Sequence, residues 1–174
     1  MASGDELSQI REAVRKDAMN AELRYLLGAE LAQQGEYEQA VLEMTLAVEL
    51  QPSLHVARFQ LGLLHLTLAR PSEALAAWAP LDALPDGSYL KSFKQGLDAL
   101  IRDDFANCIG SLERGIAANT VNAPLNRDMA LIIDKCRAAL AQQPAPPKQA
   151  PASAETESRV RTDFSLYDGP TTRQ

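Results

Sequence analysis

Two cysteines, Cys108 and Cys136, are too few to frame a disulfide-stapled fold. Both are expected as packed, reduced thiols. No C-x-x-C or H-x-x-x-H spacing occurs, so the sequence offers no metal ligand set, and it has no glycine-rich phosphate loop. The only histidines, His55 and His65, would lie about 80° apart around a continuous helix, which denies them a shared ligand or acid–base role. The sequence therefore gives no catalytic apparatus and no cofactor site, and a non-enzyme is expected. Basic residues are outnumbered, 17 to 23, for a net charge of −6. That balance argues against nucleic acid as a partner. Long apolar runs are also missing. The most apolar stretch, Phe59 to Ala69, covers 11 residues and contains Gln60, His65 and Thr67. A bilayer needs about 20 residues, so no membrane insertion is expected. Met1 to Ile10 has neither a basic start nor an apolar core, so no signal peptide is visible and a cytoplasmic location is expected. Aromatic residues make up 5% of the chain while alanine and leucine abound, which points to an all-α fold.

What the sequence does contain is a period. Shifting the chain by 34 residues carries Leu27-Gly28 onto Leu61-Gly62, Ala40 onto Ala74 and Met44 onto Trp78. A second shift carries Gly62 onto Gly96, Phe59 onto Phe93, Ala74 onto Cys108 and Trp78 onto Leu112. A glycine inside a helix costs roughly 1 kcal/mol relative to alanine. Its recurrence, with a small and then a large residue at fixed offsets, marks a repeated helix-turn-helix unit.

The period and positions resemble the tetratricopeptide repeat, whose pattern is W-x2-L-G-x2-Y, then A-x3-F, then P. The first unit matches through Leu27, Gly28, Leu31, Ala40, Met44, Ala47 and Pro52. The second matches through Leu61, Gly62, Ala74 and Trp78, and the third, degenerate, through Gly96, Cys108 and Leu112. The aromatic expected at the first motif position is missing from all three, where Arg24, Arg58 and Ser92 stand. The resemblance implies an α-α superhelix of about eight antiparallel helices. It divides into a half-repeat helix (1–20), repeats over 21–54, 55–88 and 89–122, a capping helix (123–143) and a proline- and alanine-rich tail (144–174). Pro80 is expected to kink or end the second helix of repeat two, and Asp86 or Ser88 to cap the next helix. Asn122 is expected to cap the terminal helix, with Pro124 in its first turn.

In this family the first helices of successive pairs line a concave groove that takes peptides. Carried across position by position, the groove falls on Tyr25 and Leu26, then Phe59, Leu63 and Leu66, then Phe93, Lys94, Leu97, Leu100 and Ile101. Tyr25, Phe59 and Phe93 recur at 34 residues and are expected to form one aromatic column. Family members that clamp acidic carboxyl termini hold basic and amide residues there. Here only Lys94 fits, so the resemblance implies apolar anchors on the partner instead, carried by a helix or an extended segment. The expected function is an adaptor or chaperone, with a more distant likeness to small bacterial repeat proteins of secretion or surface assembly. Three alternatives stay open at this stage. The column packs on itself as core; a homodimer closes the groove; or the chain's own tail docks there through Phe164, Leu166 and Tyr167, which stand together in a polar setting.

Overall fold

The computed structural model describes residues 3–142, which form eight α-helices and one 3-10 segment. In chain order the helices are α1 (Ser3–Lys16), α2 (Ala21–Gln33), α3 (Tyr37–Leu50), α4 (His55–Thr67), α5 (Pro71–Trp78), α6 (Tyr89–Ile101), α7 (Phe105–Ala118) and α8 (Ala123–Gln142). The 3-10 segment is Ala79–Ala83. Each helix packs on its chain neighbour, α2 on α3, α4 on α5, α6 on α7 and α7 on α8, and α4 also meets α6. This is a stack of helical hairpins with no strand among the described residues.

Each hairpin closes on its glycine. A Cβ on Gly28 would lie 2.7 Å from Met44 Cγ and 3.2 Å from the Ala40 carbonyl oxygen. The same clash recurs one period later between Gly62 and Trp78, and again between Gly96 and Leu112. Bare backbone at these three points lets the large side chain of the second helix lie flat on the first. Close contact over that surface offsets the lost helix propensity. Trp78 gains a further tie, because its indole N–H donates to the Phe59 carbonyl oxygen at 2.8 Å in the buried interior.

The turns inside the hairpins repeat as well. Gly35, Ala69 and Asp103, spaced by 34, all adopt positive φ, at 80°, 57° and 56°. Each lies within the same hydrogen-bonded closure: Glu36 N–H donates to Leu31 O, Arg70 N–H to His65 O and Asp104 N–H to Ala99 O, at 2.8 to 2.9 Å. This left-handed turn satisfies the last carbonyls of the first helix and reverses the chain. Only the first unit uses glycine. The other two hold the conformation with a side chain present.

Caps set the remaining boundaries. Asn20 Oδ1 accepts from Leu23 N–H, Asp104 Oδ1 from Asn107 N–H and Asn122 Oδ1 from Leu125 N–H. α5 begins with Pro71 in its first turn and ends at Trp78, and the chain tightens into the 3-10 segment around Pro80. Ser88 stands at the N-cap of α6 but its side chain makes no capping bond. Asp86 binds Lys91 Nζ at 2.8 Å instead. Between α7 and α8 the buried Asn119 binds the Asn122 carbonyl and the Asn126 side chain through its amide, while its Oδ1 accepts from Val121 and Asn122 N–H. The repeat pattern gives no sign of this asparagine-built loop.

The interior is two apolar clusters meeting at α4. Leu61 and Leu64 face Leu27, Leu31 and Met44 on the amino-terminal side. Phe59 and Leu63 face Trp78, Phe93, Leu97, Leu112 and Met129 on the other.

Candidate functional site

The positions taken for a groove wall split into two rows. Phe59, Phe93 and Leu97 have no exposed surface, and Leu63 and Leu100 are buried. The expected open aromatic column is therefore corrected: Phe59 and Phe93 are core. Their ring centroids lie 6.0 Å apart, and Phe59 stacks on Trp78 at the same distance. The cause is packing within the second and third hairpins, where Trp78 and the 3-10 segment fill the space behind α4 and α6. Tyr25 does not join these rings. It is half-buried beside the amino-terminal cluster, with the Gln60 side chain of α4 near its hydroxyl. Burial and the nearby Tyr89 raise its pKa.

One residue further along each helix lies the second row, Leu26, Gln60 and Lys94, again at 34-residue spacing. Leu26 is 47% exposed, and Gln60 is half-buried. Lys94 is held by two carboxylates, Asp82 at 2.8 Å and Asp98 at 2.7 Å. Burial alone would lower its pKa, but hydrogen bonds to Asp82 and Asp98 hold it above its ordinary value. Lys94 is thus already neutralised and cannot serve as a free cation for a peptide carboxylate. Asp98 Oδ1 is buried without a hydrogen-bond partner, and the acidic surface at this end of the row belongs to Asp82, whose side chain is 57% exposed. Leu66 and Ile101 are half-buried against the second cluster. The row therefore runs from an apolar anchor, through an amide, to an acidic end. Phe164, Leu166 and Tyr167 lie outside the described residues.

His55 and His65 both lie on α4, each with a buried Nδ1 that has no partner. Burial lowers the His65 pKa against the opposing pull of Glu73 and Glu38. Among the described residues, no three His, Cys, Asp or Glu side chains gather to hold a metal ion, and no helix is long and apolar enough to cross a membrane. A second surface was not legible in the repeat pattern. A crevice of about 440 Å³ opens over Leu27 and Leu31, with Arg11, Arg15 and Leu42 at its edge, and Leu42 is 64% exposed. The signal for it was available, since Leu42 and Leu46 stand one helical turn apart on α3 with no 34-residue counterpart in a core position.

These elements define a class, the tetratricopeptide-type α-α solenoid, with three hairpins between a leading half-repeat helix and a terminal helix. Two solved structures share it. One is the MamA RS-1 ArsTM double mutant, with TM-score 0.56, 14% identity, and 82% of this chain matched to 89% of that one. The other is MamA 41-end from Desulfovibrio magneticus RS-1, with TM-score 0.55, 17% identity, and 83% of this chain matched to 89% of that one. At these identities the likeness is one of fold. No family model matches the chain, and no curated protein matches its sequence.

Proposed function

We propose that this chain is a non-enzymatic protein–protein interaction scaffold that takes an apolar segment of a partner along the row Leu26, Gln60 and Lys94. One observation carries this reading. Leu26 is a large apolar side chain left open on α2, while Leu27 and Leu31 of the same helix are buried. It lies on the helix face with which tetratricopeptide proteins meet their partners. Tyr25, half-buried, stands next to it in the chain. Covering a leucine contributes about 1.5 to 3 kcal/mol before ordering costs. The Gln60 amide suits the backbone of an extended segment, and the exposed Asp82 carboxylate suits a donor or a basic residue of the partner.

The test is recovery of partners by the full chain and by Leu26→Glu. The substitution is expected to leave the helical signal and thermal midpoint unchanged and to weaken partner binding about tenfold or more. A folded Leu26→Glu protein that binds as the parent does would refute this assignment. Self-association is a second reading, favoured by Leu131, which is 60% exposed on the outer side of α8. Light scattering on Leu131→Glu separates the two, since loss of a dimer there would leave the α2–α4–α6 row free.

A further inference from the structure

The two cysteines, 28 residues apart in sequence, come together. Cys108 on α7 and Cys136 on α8 are both fully buried and unbridged, with their sulfurs 3.5 Å apart. Their surroundings are the apolar second cluster, including Leu112, Met129, Ile132 and Ile133. Two alanines or valines would satisfy that environment as well as two thiols do. Here the thiols meet each other across the one junction that holds the terminal helix. Cys136 donates a hydrogen bond to Cys108, a weak tie for a buried pair.

We propose that Cys108 and Cys136 form a reversible disulfide that locks α8 onto the last hairpin. With hydrogen peroxide as oxidant the step balances. One thiolate attacks the peroxide oxygen and becomes a sulfenic acid as the O–O bond breaks and the first water leaves. The second sulfur then attacks the sulfenic sulfur, the S–O bond breaks, the S–S bond forms and a second water leaves. Two electrons pass from the sulfurs to the peroxide, and the two thiol protons end in water. In the docked state neither sulfur touches solvent, so oxidation proceeds through transient undocking of α8. That opening separates chiefly one helix pair, because α8 packs mainly on α7 and turns Arg127, Asp134 and Arg137 outward. Terminal elements open in this way at far lower free energy than the whole fold. Once joined, the two helices can no longer part at that point.

The test treats the full chain with hydrogen peroxide, quenches with a thiol alkylator and measures intact mass, mapped bridge and hydrogen exchange along α8. The expected result is a product lighter by two hydrogens, a single peptide linking Cys108 to Cys136, and exchange in α8 slowed about tenfold or more while α2 to α5 are unchanged. Reduction restores both thiols. Cys136→Ser, which keeps a small side chain at the site, should give no intrachain bridge and no slowing. Two free thiols persisting in the folded chain under conditions that oxidise the urea-unfolded chain would overturn the proposal. So would bridges only between chains, loss of helical signal on oxidation, or unchanged α8 exchange in the bridged form.

Discussion

A methyl group on Gly62 would sit 2.0 Å from the Trp78 indole nitrogen. Making room means tilting a rigid ring away from the Phe59 carbonyl that it binds. Gly62→Ala is therefore expected to destabilise by about 1 to 3 kcal/mol despite alanine's better helix propensity. Gly110 lies inside α7 with only an Arg114 nitrogen at 3.7 Å, so Gly110→Ala is expected to stabilise by roughly 0.5 to 1 kcal/mol. Denaturant midpoints of the pair, measured together, check the contrast. The hairpin turns give a second pair. Ala69→Gly relieves a left-handed alanine and should stabilise by about 1 kcal/mol, and Gly35→Ala should cost a similar amount. Gly28, Gly62 and Gly96 were legible in the sequence because an interior glycine needs a compensating contact. The strained backbone at Ala69 and Asp103 was not, because neither residue type announces a positive φ.

At the scale of the element, the 34-residue period says which side chains form a row but not whether the row faces a neighbour or solvent. Tyr25, Phe59 and Phe93 share a register, yet only the last two close into core, where Phe59 lies against both Trp78 and Phe93. The extra bulk of Trp78 and the 3-10 turn around Pro80 decide this, and neither has a counterpart in the first unit. The early end of α5 was readable, since proline forbids the next turn. The consequence for Phe59 and Phe93 was not. Phe93→Ala is expected to cost about 3 to 5 kcal/mol, and Phe59→Glu with Phe93→Glu to abolish the folded state, as circular dichroism would show. α4 also carries a pH response. Burial favours neutral His65 in the folded chain. The unfolded chain then binds more protons, so the stability due to this group is present above the unfolded value near 6.5 and is lost as pH falls below it. His65→Gln should flatten that decline in unfolding midpoints between about pH 7.5 and about pH 5.5.

At the scale of the whole molecule, the fold class, the repeat number and the two terminal helices were all legible, because a solenoid repeats its local rules. Which residues of the groove register stay exposed was legible only in part. The proposed face lies on the helices that the family register names, but bulk and burial within hairpins two and three leave Leu26 as its open apolar member and close Lys94 between two aspartates. The account therefore rests on a partner meeting the α2 end of the inner row. The most direct measurement places a photo-crosslinking residue at Leu26 and, separately, at Leu75, a similarly exposed leucine on α5. Covalent capture of the bound protein is expected from position 26 and none from position 75. Capture from 75 with none from 26 would contradict it.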